Sequence, residues 1–168
     1  MEVALLLHNV RSAHNVGSIF RTADAAGVSR IYLSGYTPRP VDRFGRAQKE
    51  IAKTALGAEG YIPWEYAESP SLFIERLRKK HWSIVGIEQD GRAHDYRSCK
   101  LKNPTLCIVG NEVRGMSRAL RAQCDRLIEI PMRGRMVRHA HHPRHSGRGK
   151  ESLNVSVAAG IILFSCIS

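Results

Sequence analysis

The chain has 168 residues, with 26 Lys and Arg against 15 Asp and Glu, a formal net charge of +11, and 43% hydrophobic residues. At that length a folded chain removes roughly 70% of its extended surface from water, so one domain holds a core without disulfides or a structural metal. Cys99, Cys107, Cys124 and Cys166 form no Cys-x-x-Cys pair, which argues against a zinc knuckle and for buried thiols in a reducing, cytoplasmic setting.

The first strand-like run, Val3 to Leu7, follows neither a basic start nor a cleavage site, so a secretory signal is not expected. Further β-type runs are Arg30 to Ser34, Ser83 to Ile87, Thr105 to Val109 and Leu127 to Ile130. Between them lie helical patterns at Gly17 to Ala26, Leu72 to Lys80 and Ser117 to Gln123. Strands alternating with helices predict an α/β domain with a largely parallel sheet and flanking helices, whose ligands sit beyond the carboxyl ends of strands. The run 155–168 falls short of the ~20 residues a bilayer needs and reads as a buried helix. Its apolar residues surround the axis, which implies cover on nearly every side, by a second subunit in a homodimer, the favoured reading, or as the central helix of a monomer.

Two segments break the pattern. Residues 35–46, GYTPRPVDRFGR, interleave Arg39, Arg43 and Arg46 with Tyr36 and Phe44, a composition for touching RNA through cations and stacking, or for a solvated connection. Residues 133–150 carry five Arg, one Lys, four His and no acid except beyond their end. His139, His141, His142 and His145 could hold a transition metal, but a basic arm is the favoured reading. A charge of +11 on so small a body points to a polyanion partner.

Three clusters follow three of the strands. The first, from Asn9 to Ala23, includes Arg11, Asn15, Gly17 and Arg21, with Asn15 placed to cap a helix and Gly17 to admit a neighbouring backbone. In the second, Gly110-Asn111-Glu112-Val113-Arg114-Gly115, the glycine lets a ligand lie against the main chain and the acid can accept hydrogen bonds. It lacks the spacing of a phosphate or dinucleotide loop. The third joins Ile130-Pro131-Met132 to Ser152-Leu153-Asn154, where Ser152 or Asn154 can cap the last helix.

These blocks, NVRSAHNVGSIFRTADAAG, IVGNEVRG, and IPM with SLNVSVAAG, resemble the motifs of the TrmH/SpoU branch of the SPOUT RNA methyltransferases, and the likeness extends from Val3 to Phe164. The resemblance implies a parallel α/β fold with a C-terminal trefoil knot, a dimer, and methyl transfer from S-adenosyl-L-methionine to a ribose 2′-hydroxyl of tRNA or rRNA. Carried over residue by residue, it implies catalytic roles for Asn15, Arg21, Glu112, Ser152 and Asn154, and donor binding by backbone at Gly110, Ile130, Met132 and Leu153. Arg11, Arg39, Arg43, Arg46 and Arg114 are the expected RNA contacts. Because a guanidinium is a poor base, Arg21 is expected to steady oxyanion charge or grip a phosphate. No metal is implied. The family joins IPM to SLN by a short connection, so residues 136–149 read as an insert, a basic arm for RNA. With no domain expected at either end, recognition falls to the catalytic domain and its basic loops. The rival readings are a basic RNA-binding protein of the same fold that has lost transfer, and a small-molecule α/β enzyme whose charge is incidental.

Overall fold

Val3 to Leu7 are wholly buried, and five consecutive covered residues in a strand require packing on both faces of its sheet. The computed structural model, which describes residues 1–133 and 152–166, supplies that cover. Its elements are β1 (Val3–His8), α1 (Ala13–Ala25), β2 (Arg30–Ser34), α2 (Lys49–Ala55), α3 (Ala58–Tyr61), β3 (Trp64–Tyr66), α4 (Pro70–Arg78), β4 (Ser83–Ile87), β5 (His94–Asp95), β6 (Thr105–Val109), α5 (Arg118–Ala122), β7 (Arg126–Glu129) and α6 (Val155–Cys166). The described residues form a seven-stranded sheet in the order β3-β2-β1-β6-β4-β7-β5 with every neighbouring pair parallel.

Alternate side chains of the strands feed two cores. On one face Val3, Leu5, Leu7, Ile31, Cys107 and Val109 pack with Ile19 and Phe20 of α1, Ile51 of α2 and Ile162 and Leu163 of α6. On the other, Ala4, Leu6, Ile84, Leu106 and Ile108 pack with Phe73, Ile74 and Leu77 of α4 and Leu120 of α5. Gly17 permits the close crossing of α1 over α2: a Cβ there would lie 2.1 Å from Thr54 Oγ1 and 2.3 Å from the Ile51 carbonyl oxygen.

Successive strands leave β1 in opposite directions, β2 and β3 to one side, β6 and β4 to the other. The crevice at that reversal lies between the carboxyl ends of β1 and β6, where Leu7 pairs with Val109.

The five expected strands are present, the last shifted to Arg126–Glu129. One expectation is corrected: Asn15 does not cap α1. Ser12 does, its hydroxyl accepting from Asn15 N at 3.2 Å, which moves the helix start to Ala13 and places Asn15 inside the first turn. The last helix resolves the other way, with Asn154 as cap: Oδ1 accepts from Ser156 N at 2.9 Å. β3, β5, α2 and α3 were not legible, being short elements with too few apolar positions for a period to register. Residues 136–149, the expected insert, lie outside the described residues.

Candidate functional site

The carboxyl ends of β4, β6 and β7 open onto a cavity of about 400 Å³, lined by Ile87 and Glu88, by Gly110 to Gly115, by Glu129 and Ile130, and by Ser152, Leu153, Val155 and Ala158 at the start of α6. Gly110 is part of that lining. A Cβ there would lie 2.6 Å from Met116 N, so the position is demanded by the loop folding back over its own origin. Glu88 fixes that return by accepting from Met116 N at 2.6 Å.

Glu112 bridges the loop to the first cluster. Its Oε2 accepts from Arg11 N at 2.9 Å, and its Oε1 from Ser12 N at 3.0 Å and from Asn15 Nδ2 at 3.1 Å. Partial burial opposes its charge, but the hydrogen bonds from Arg11, Ser12 and Asn15 outweigh it and hold its pKa below the ordinary carboxylate value. The amide of Asn15 is thereby oriented, Nδ2 toward the carboxylate and Oδ1 free to accept from Asn154 Nδ2 at 3.0 Å. Asn154 is oriented from its far side, since its Oδ1 accepts from both Ser156 N and Ser156 Oγ. An acceptor-only carboxylate at one end and a backbone N–H at the other force a single direction on the relay.

Beneath it lies a second polar group. His8 Nε2 is 3.0 Å from Asn9 Nδ2 and His8 Nδ1 is 2.8 Å from Ser34 Oγ. Because the amide nitrogen of Asn9 can only donate, Nε2 accepts and Nδ1 carries the proton. Burial lowers the His8 pKa, which keeps the ring neutral. Asn111, 8% exposed, donates Nδ2 to the Asn9 carbonyl and to Tyr36 Oη, both at 3.0 Å, while its Oδ1 accepts from Val113 N and Arg114 N. Thr37 Oγ1 lies 2.9 Å from the Leu7 carbonyl and accepts from Val10 N, pinning the basic loop to the end of β1.

The loop itself is organised. Arg39 lies 3.6 Å over the Tyr66 ring, and Arg43 and Arg46 lie 4.9 and 5.1 Å from the Phe44 ring. Asp42 accepts from Phe44 N, Arg46 N and Arg46 Nε. Arg11 and Arg114 are exposed, the latter at the cavity.

The SpoU rRNA Methylase family model matches residues 2–137. The chain belongs to that family. A 23S rRNA (guanosine-2'-O-)-methyltransferase RlmB of Vibrio parahaemolyticus is 34% identical over 163 residues, 97% of this chain and 58% of that protein. An AdoMet-bound rRNA methyltransferase from Sinorhizobium meliloti superposes with a TM-score of 0.80 at 31% identity, covering 98% of this chain and 55% of that one. The A. aeolicus TrmH/SpoU tRNA modifying enzyme gives 0.78 at 26% identity over 99% and 74%. The chain spans little more than half the length of the curated relatives it matches.

Of the residues that the SpoU resemblance singled out, Glu112, Asn15 and Asn154 meet by hydrogen bonds, and Gly110, Glu112, Arg114, Ile130, Ser152 and Leu153 line the cavity. Met132 is half-buried just beyond the lining. Arg21 stands apart, exposed in a cleft with Ser18, Thr22, Ala25, Thr54 and Phe164. Six helical residues separate it from Asn15 by about 120° around the axis and about 9 Å along it, so the two side chains leave different faces of α1. Ser12, Glu88 and Asn111 were missed as site residues. Asn111 stood inside a quoted motif, whereas nothing local marks Glu88. All four thiols are free, and burial pushes Cys107 and Cys124 up to about 12. Among the described residues no cluster of His, Cys, Asp and Glu could hold a metal, and no helix is long and apolar enough to cross a membrane. The four histidines of the basic segment lie outside those residues.

Proposed function

We propose that the chain transfers the methyl group of S-adenosyl-L-methionine to a ribose 2′-hydroxyl of structured RNA, ribosomal or transfer, as a homodimer whose C-terminal part carries the family's trefoil knot. The observation that carries this reading is the Glu112-Asn15-Asn154 relay at the mouth of a strand-end cavity, in a chain that resembles an AdoMet-bound rRNA methyltransferase. The cavity suits such a donor. Its volume lies in the range of small-molecule sites. Ile87, Val109, Ile130 and Val155 offer apolar wall to a flat heterocycle, and Glu88 and Glu129 offer negative charge to a sulfonium and an ammonium. Gly110, Ile130, Met132 and Leu153 would hold the donor through backbone, and Ser152 would border it.

When bound, the donor supplies a methyl already activated on sulfur; the chain must align the acceptor oxygen and ease the loss of its proton. Glu112 is a poor proton acceptor, because both its oxygens are engaged and its pKa is lowered. Its role is to hold the turn and the Asn15 amide. Arg21 is not among the residues lining the cavity and sits in a separate cleft beside the exposed Phe164 of α6. In this reading it therefore serves a second copy's site, steadying the developing oxyanion or the adjacent phosphate. Arg11, Arg39, Arg43, Arg46 and Arg114 meet the RNA backbone.

The test is tritium transfer from labelled S-adenosyl-L-methionine to a 23S rRNA transcript and to total tRNA, followed by nuclease digestion. The expected product is a 2′-O-methylnucleoside. Donor binding by calorimetry with no label in either RNA would leave a binding protein of the same fold.

A further inference from the structure

Tyr36 is 57% exposed although it sits beside the cavity, and Val113 on the facing turn is 68% exposed. Large apolar groups left in water at the mouth of a site ask for an occupant. Neither is loosely placed. Tyr36 Oη accepts from Asn111 Nδ2 at 3.0 Å and Tyr36 N donates to Asn9 Oδ1 at 3.2 Å. Val113 N donates to Asn111 Oδ1 at 3.0 Å. One buried amide thus holds the phenol at one end and the valine backbone at the other, and Glu112 lies between Asn111 and Val113 in the chain.

The ring keeps its face available. Arg39, the loop cation that could have covered it, lies over Tyr66 instead, and among the described residues no ring or guanidinium stacks on Tyr36. A fixed aromatic face, an apolar wall and the exposed Arg114 one residue further on form the surface that an unstacked nucleobase with its phosphate would take.

We propose that Tyr36 and Val113 form the platform on which the base of the acceptor nucleotide lies while its ribose faces the relay. This rests on the function proposed above. The platform reads a π-face rather than a hydrogen-bonding edge, so it positions the nucleotide without selecting one base.

The test uses the full chain with Tyr36→Leu, Tyr36→Phe and Val113→Ser, a 23S rRNA transcript and total tRNA. Methyl transfer gives kcat and KM, filter binding gives RNA affinity, and calorimetry gives donor affinity. Loss of the ring in Tyr36→Leu is expected to raise the RNA KM about tenfold or more, with donor affinity within about twofold of wild type. Tyr36→Phe, which keeps the ring and loses the bond to Asn111, is expected to recover most of that loss. Val113→Ser, at an exposed position where stability changes little, is expected to raise the RNA KM by about threefold. Equal damage from Leu and Phe would make Tyr36 a brace and overturn the platform, as would RNA affinities unchanged by Tyr36→Leu and Val113→Ser. A wild-type chain that binds donor and methylates neither RNA would instead sink the proposed activity, and the platform would then stand or fall on filter binding alone.

Discussion

Glu112 uses both carboxylate oxygens inside the protein, and three N–H groups depend on it. In Glu112→Gln the amide can turn only one oxygen toward them, leaving an N–H facing an N–H. The expected cost is about 1–3 kcal/mol of stability, read by urea denaturation, with transfer falling by a larger factor than donor affinity. His8 sets a different dependence. Its folded pKa lies below the ordinary 6.5, so the unfolded chain binds the proton first. Its contribution is therefore fully present above pH 6.5 and is lost as pH falls toward the lowered folded value. Glu112, also lowered, adds a second loss that begins only near pH 4.5. Denaturation midpoints at pH 7.5, 6.0 and 4.0 are expected to fall in two stages, and His8→Gln is expected to flatten the first.

At the scale of elements, the site depends on where helices begin and how closely they cross. Ser12 starts α1 and Asn154 starts α6, and the two helix starts are joined through Asn15. Asn154→Ala removes a cap worth about 1 kcal/mol and also releases the Asn15 amide. The crossing of α1 over α2 is set by Gly17, whose would-be Cβ meets Thr54 Oγ1 and the Ile51 carbonyl. Gly17→Ala is expected to cost about 1–3 kcal/mol because backbone must move. Gly60→Ala in α3, where nothing lies within 4 Å, is expected to be neutral or slightly stabilising in the same thermal melts.

For the whole molecule, α6 buries Ala159, Ile162, Leu163 and Cys166 and leaves Val157 and Phe164 about half exposed, one behind the other along the helix. Seven residues apart, they share a face. Under the proposed dimer, Phe164→Glu is expected to yield monomers by analytical ultracentrifugation and to abolish transfer while leaving donor binding. If Arg21 serves the partner's site, Arg21→Ala and Glu112→Gln chains, each impaired alone, regain activity when mixed: random exchange would restore about a quarter of the sites. A mixture no more active than its parts would return Arg21 to its own protomer.

The sequence by itself determined the alternation of strands and helices, the parallel sheet and the strand ends at which to look, because apolar runs and the polar clusters beside them are local signals; Asn15, Glu112 and Asn154 were singled out by the resemblance to the SpoU motifs. It could not show that Ser12 rather than Asn15 caps α1, since both residues have the chemistry and only the Glu112 carboxylate, 97 residues from Asn15, decides between them. Nor could it show that Arg21 leaves the cluster, a consequence of helix pitch once the start of α1 is fixed. Glu88 and Asn111 became site residues, and Tyr36 of the basic loop was joined to Asn111, only when parallel strands far apart in the chain brought their carboxyl ends to one edge. Contacts of that kind are set by packing across the sheet, which no local pattern encodes.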